Sequence, residues 1–236
     1  MKSITLGMFA LMVAGMLLGV QGASAEPIAI RVSDGSITCT LTEGVGVSGP
    51  CGGADVGGPG VVSWFTTVGD WTIALNTGYG SSIVGPGNLD LTYGGTSIGG
   101  TLTALTIEFT QTATSPAFPN YTLDIGGTLN SGIASLTYSA YVGNSNTPFS
   151  EPSAGQIGST LSFAGSAYSG TSSSGGGDAV APYALTQVIT IQGNGAANAQ
   201  ATGDATIKAP EPSSFILLGT GLIGLAGAAR RRAKSK

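Results

Sequence analysis

Between an apolar segment at Ile4 to Val20 and another at Ser213 to Ala229, this chain offers no stretch with the period of a helix. Forty glycines are spread along its 236 residues, and each would cost a helix interior about 1 kcal/mol relative to alanine. What recurs instead is a short run rich in Val, Ile, Thr and Tyr, closed by Gly, Pro or Asn. These runs predict strands near Ile28 to Ser33, Ser36 to Thr42, Gly60 to Thr67, Asp70 to Asn76, Leu89 to Tyr93, Thr101 to Thr110, Tyr121 to Gly126, Ile133 to Val142, Thr160 to Tyr168, Tyr183 to Gln192 and Ala201 to Ile207. Alternation is clearest where Leu105, Ile107 and Phe109 interleave with Thr106, Glu108 and Thr110, which predicts one apolar and one solvated face. No fixed period of a solenoid is present. The expected fold is all-β, an antiparallel, jelly-roll-like β-sandwich. Loops are expected at Gly44 to Gly60, Ser145 to Ser159 and Ser169 to Ala181, the last a mobile, low-complexity run.

The two apolar ends are addresses. Lys2, the run Ile4 to Val20, and Ala23-Ser24-Ala25 make an n-region, an h-region and an A-x-A cleavage site, so residues 1–25 read as a secretory signal peptide. At the other end, Pro210-Glu211-Pro212 precedes the apolar segment 213–229, and Arg230-Arg231-Arg232 opens a basic tail to Lys236. As a helix that segment would rise about 25 Å, just short of a hydrocarbon core of about 30 Å. The positive flank would keep its own side cytoplasmic and everything before it outside. The expected organisation is a signal peptide (1–25), a β-sandwich ectodomain (26–208) and a tail (209–236) with a single transmembrane helix.

In order and position, Pro-Glu-Pro, a Gly/Leu-rich span and a terminal Arg cluster resemble the PEP-CTERM sorting domain, a tail also labelled as an ice-binding protein C-terminal domain. The resemblance implies export through the secretion machinery, transient anchoring in the inner membrane and processing by exosortase. It further implies release to the cell surface or extracellular matrix of a bacterium that makes exopolysaccharide, the setting of a biofilm. Val32-Ser33-Asp34-Gly35, Gly69-Asp70-Trp71-Thr72-Ile73, Leu89-Asp90-Leu91 and Tyr183-Ala184-Leu185-Thr186 are similar to a module that recurs in such exported proteins and has no assigned activity.

Within residues 26–208, two basic residues, Arg31 and Lys208, stand against eleven acidic ones, a net of −9. A body this acidic argues against nucleic acid as a partner. The only cysteines, Cys39 and Cys51, are an even pair outside the cytoplasm and read as a disulfide. Histidine is absent from the whole chain, which removes Ser-His-Asp triads, histidine bases and histidine zinc sites. Acid–base chemistry would need paired carboxylates, for which Asp70, Asp90, Glu108 and Asp124 are the candidates; scattered acids in a β domain more often face water, and no catalytic residue is assigned. No cofactor is implied beyond calcium, for which Asp34, Asp55 and Asp90 offer oxygen ligands at turns, with Asx turns as the competing reading. Trp64 and Trp71 are the candidate glycan contacts, by stacking on sugar rings, although a sandwich also needs large side chains in its core. Thr-rich strands bring ice to mind, but Thr101, Thr103, Thr106 and Thr110 are irregularly spaced and threonine is a good strand former.

The sequence thus predicts a non-enzymatic exported protein with a structural or adhesive role linked to exopolysaccharide. A carbohydrate-binding module for matrix glycan is the alternative, ahead of a glycoside hydrolase or an ice-binding protein.

Overall fold

The computed structural model of the chain describes residues 27–85, 87–99, 103–114, 118, 120–175, 180–210, 220–221 and 224. Ala23, Ala25, Glu211, Pro212, Arg230, Arg231, Arg232 and nearly all of the expected span 213–229 lie outside the described residues. Among the described residues no helix is long and apolar enough to cross a membrane.

Two antiparallel sheets form the fold. One has seven strands in the order β10-β9-β12-β7-β1-β2-β3 and the other six, β11-β8-β13-β6-β5-β4. The strands are β1 Ile28–Ser33, β2 Thr38–Thr42, β3 Gly46–Ser48, β4 Val61–Val68, β5 Trp71–Tyr79, β6 Leu89–Ser97, β7 Ala104–Thr114, β8 Asn120–Leu129, β9 Ile133–Gly143, β10 Leu161–Phe163, β11 Ala167–Gly175, β12 Tyr183–Gly193 and β13 Gln200–Lys208. One short helix, α1 (Ser81–Val84), sits between β5 and β6. The period of two explains the layering. In β6 the inward residues Leu89, Leu91, Tyr93, Gly95 and Ser97 are buried, while Asp90, Thr92, Gly94 and Thr96 face out.

The inner faces meet in a core holding Trp64, Trp71, Phe109 and a set of buried tyrosines. Several of these tyrosines carry their hydroxyls to partners deep inside. Tyr138 of the seven-stranded sheet donates to the Thr206 carbonyl of the other, 3.1 Å away, and Tyr121 pairs with Tyr183 across the same gap. Burial pushes the Tyr138 hydroxyl well above its ordinary pKa, so it remains a donor.

The Cys39–Cys51 disulfide is formed. It ties β2 to a loop that closes the outer edge of β4. In that loop the Gly52 carbonyl accepts from Trp64 Nε1 at 3.1 Å and Thr66 Oγ1 at 2.9 Å, Val56 N donates to the Ser63 carbonyl at 3.2 Å, and Asp55 Oδ1 accepts from Ser63 N at 3.1 Å. The cross-link therefore protects a sheet edge as well as shortening the unfolded chain.

Three expectations are corrected. The run from Ser169, read as mobile loop, is mostly strand β11, paired with β8 from Ala167↔Thr128 to Gly175↔Asn120; its hydroxyl side chains are small enough for an edge strand and need no core. The single strand expected at Thr160 to Tyr168 is two, β10 and β11, which belong to different sheets. The outward face of β7 is not solvated at Glu108 and Thr110, because the segment 145–155 lies over it. Phe149 stacks on the Arg31 guanidinium at 4.4 Å, Phe149 N donates to Thr110 Oγ1 at 3.3 Å, and Arg31 grips Glu108 through both its Nε and Nη2. Burial, then the hydrogen bond and charge of Glu108, push Glu151 up to about 7, with Arg31 opposing.

Replacing Cys39 and Cys51 together by serine is expected to lower unfolding free energy by about 3 kcal/mol, read by urea titration. Because the folded pKa of Glu151 lies above its ordinary value of 4.5, its stabilisation is complete below that value and is lost as pH rises through about 7. Glu151→Gln is expected to flatten this part of the profile, measured by thermal unfolding from acid to neutral pH.

Candidate functional site

The outer face of the six-stranded sheet carries a groove of about 480 Å³. Strand parity builds it. Since Trp64 points into the core, Phe65 must point out, and it stands 67% exposed at one rim. Across the sheet from it the register sets Phe65 beside Ala74, Ala74 beside Gly94 and Gly94 beside Thr202. One step along, Thr92 faces Asp204 and Asp204 faces Gly126. Hydroxyls and an amide from Thr72, Thr96, Thr202 and Gln200 complete the walls.

Glycine makes this surface concave. A Cβ at Gly94 would meet nothing closer than the Ala74 carbonyl at 3.6 Å, and at Gly126 nothing closer than the Tyr168 carbonyl at 3.6 Å. Both are ordinary contacts, and neither residue has a positive φ, so the backbone would accept a side chain at either position. Glycine in a strand interior is unfavourable; these two leave open the space that side chains would fill. Gly127 and Gly203 differ. They face inward, and a Cβ on either would run into the Tyr168 hydroxyl and neighbouring backbone. The Tyr93 and Tyr168 hydroxyls are hydrogen-bonded in the room they leave, and Tyr168 also donates to the Thr202 carbonyl at 3.0 Å.

Beyond Asp204 the face turns polar and charged. Asp90 is pushed up to about 6, first by burial and then by the neighbouring Asp204 carboxyl, with Lys208 opposing, and its Oδ1 is buried without a hydrogen-bond partner. Lys208 Nζ reaches Asp124 Oδ2 at 2.7 Å, and this contact, with a 2.8 Å hydrogen bond from Thr171, holds the Asp124 carboxyl below its usual range. The arrangement suits a hydroxyl-rich ligand: carboxylates and amide oxygens accept, threonine hydroxyls do both, and an aromatic ring offers a flat face.

The sequence candidates fall in different places. Trp64 and Trp71 are 1% and 0% exposed, so neither can stack on a sugar from outside; both are core side chains. Asp34, Asp55 and Asp90 do not converge, and no group of three acidic or metal-binding side chains is brought together among the described residues. Asp34 Oδ1 accepts from Ser36 N at 2.9 Å and Ile37 N at 2.7 Å; burial would raise its pKa, but these bonds outweigh it and hold the group low. Asp55 Oδ1 accepts from Gly57 N at 2.9 Å, an Asx turn as well as an edge cover. Among the paired-carboxylate candidates, Asp90 and Asp124 share the groove face with Thr206 between them, Glu108 lies on the other sheet, and Asp70 is in the β4–β5 turn. Gly94, Gly126, Thr202 and Asp204 are site residues that the sequence reading missed. Phe65 could have been placed by parity, as the neighbour of a buried tryptophan on one strand.

The sorting tail starts where the fold stops. β13 ends at Lys208, Ala209 N donates to Asn88 Oδ1 at 2.7 Å, and Pro210 is exposed. No curated protein matches the chain. Among solved structures, TmCBM61 in complex with β-1,4-galactotriose is similar at 7% identity and a TM-score of 0.31, over 64% of this chain and 87% of that one. TmCBM27, a carbohydrate-binding module studied for mannan recognition, is similar at 12% identity and a TM-score of 0.28, over 63% and 84%. The cleaved adhesin domain of Lys-gingipain from Porphyromonas gingivalis is similar at 12% identity and a TM-score of 0.27, over 61% and 94%. At these scores the likenesses carry no argument about function. Residues 208–232 match the PEP-CTERM protein-sorting motif, so this chain carries that motif.

Proposed function

We propose that this is an exported, exosortase-processed protein of a bacterial surface or extracellular matrix, whose sandwich holds a hydroxyl-rich polysaccharide in a structural or adhesive role and catalyses no reaction on it. The sorting motif at 208–232 supports the exported state and the exosortase step. The observation that carries the binding role is the pair of outward glycines, Gly94 and Gly126, which the backbone does not need and which keep the groove open beside Phe65. Tethering of Ala209 by Asn88, just before the exposed Pro210, supports a division in which the tail can be cut with the ectodomain intact. No ion is assigned to the groove.

The test is retention of the processed protein on the producing organism's extracellular polysaccharide. Gly94→Val and Phe65→Ala are each expected to weaken retention about tenfold or more, the scale of one lost stacking or packing contact, with unfolding midpoints close to that of the parent. Chelator is expected to change nothing. Undiminished retention of both variants would remove the groove from this function. For the sorting step, the intact mass of the secreted form is expected to lack Arg230, Arg231 and Arg232, and a full-length C-terminus in exosortase-bearing cells would contradict it.

A further inference from the structure

The sandwich has four sheet edges, and three are closed or minimal. β4 is covered by the disulfide-tied loop through Val56 N and Asp55, and β3 and β10 are three residues each. The fourth, β11, is nine residues long with the sequence AYSGTSSSG, no charge and no proline. Its pairing with β8 continues without a bulge from Ala167 to Gly175. Natural edges are ordinarily blunted by shortness, charge, proline, a bulge or a cover, and β11 has none of the first four.

The phase of the ladder identifies its open groups. Leu129 N donates to the Ser166 carbonyl at 2.9 Å, so in an antiparallel pair the even-numbered residues of β11 bond to β8 and the odd-numbered ones turn their N–H and C=O away. Ser169, Thr171 and Ser173 therefore present backbone donors and acceptors with no partner among the described residues, and their side chains are exposed. Segment 157–160 lies against the far end of this strand, where Ser159 N donates to Ser172 Oγ at 3.0 Å and a Cβ on Gly158 would stand 3.3 Å from Ser173 N, so the open stretch centres on Ser169 and Thr171.

We propose that β11 is a self-association edge: two copies of this protein pair their β11 strands antiparallel about a two-fold axis at Thr171 and join two six-stranded sheets into one. The strand is self-complementary under that operation, since Ser169 meets Ser173, Thr171 meets its own copy, and each open N–H finds a carbonyl. The body around it is acidic, with a net of −9 over residues 26–208; β11 is a strip with no charge of its own, so the strands approach without like charges in register. The match of the strand to its own copy, with Ser and Thr on both sides of the axis, favours a second copy as the occupant. Few residues pair, so the contact belongs with weak, concentration-driven association. It gives a protein with one glycan groove per copy two linked grooves, although the edge itself does not depend on the polysaccharide reading.

Sedimentation of the processed protein over micromolar to millimolar concentration tests this without any glycan present. The parent is expected to show a reversible monomer–dimer equilibrium, with amide exchange at Ser169, Thr171 and Ser173 slowing as concentration rises. Thr171→Pro removes an outward N–H that β8 does not use, and Thr171→Lys sets two cations opposite each other across the axis. Both are expected to be monomeric throughout, with circular dichroism and thermal midpoint like the parent's. Ser173→Pro provides a second site should position 171 disturb the fold through its bond to Asp124. A parent that stays monomeric at every concentration, or folded variants that dimerise as the parent does, would overturn the proposal; so would heteromeric pairing without self-association.

Discussion

A band of glycine across the six-stranded sheet is the constraint on which both faces depend. Gly94-Gly95 on β6, Gly203 on β13 and Gly126-Gly127 on β8 lie nearly side by side in the register. Consecutive strand residues point to opposite faces, so each doublet serves both surfaces at once. Inward, Gly127 and Gly203 leave space for the Tyr93–Tyr168 hydroxyl pair; outward, Gly94 and Gly126 leave the groove. A sheet this rich in glycine gives up strand propensity. The core offsets that with large aromatic side chains that span the gap and satisfy their own hydroxyls inside it.

Scarcity of positive charge shapes the rest. Arg31 and Lys208 are the only cations in residues 26–208, and each is committed: Arg31 to Glu108, clamping the segment that covers one sheet, and Lys208 to Asp124, at the end of the groove on the other. Most of the remaining acidic groups are either consumed in turns, as with Asp34 and Asp55, or gathered at the groove, as with Asp90 and Asp204. An acidic, hydroxyl-lined surface that leaves no uncommitted cation favours neutral polyols over anionic ones. At the other end of this sheet β13 ends at Lys208 and Ala209 is held by Asn88, next to the sorting motif at 208–232.

Fold class and strand positions were legible because they rest on periodicity: ten of the predicted runs overlap an observed strand each, and the eleventh overlaps two. Strand ends were not. Leu89 to Tyr93 was expected to stop before Gly94-Gly95, where β6 in fact continues to Ser97, because cross-strand neighbours override the glycine signal. β11 was hidden for the same reason, since Ser and Gly have little strand propensity and only pairing with β8 holds them. The disulfide was legible from the count of cysteines alone. The groove was not, because nothing in a linear sequence separates an outward glycine that opens a cavity from an inward one that makes room for tyrosine; register decides it. Trp64 and Trp71 misled as glycan contacts because size signals a core residue as readily as a platform, and Phe65, one residue along, occupies the exposed position.

The central claim is that the glycine-floored face of the six-stranded sheet is the ligand surface. The most direct measurement is amide chemical-shift mapping of the isotope-labelled processed protein titrated with fragments of the producing organism's exopolysaccharide. The account predicts saturable shifts centred on Gly94, Gly126, Thr202 and Asp204, with β1, β7 and β12 unmoved. Saturable shifts centred on the seven-stranded sheet, or none on either face, would contradict it.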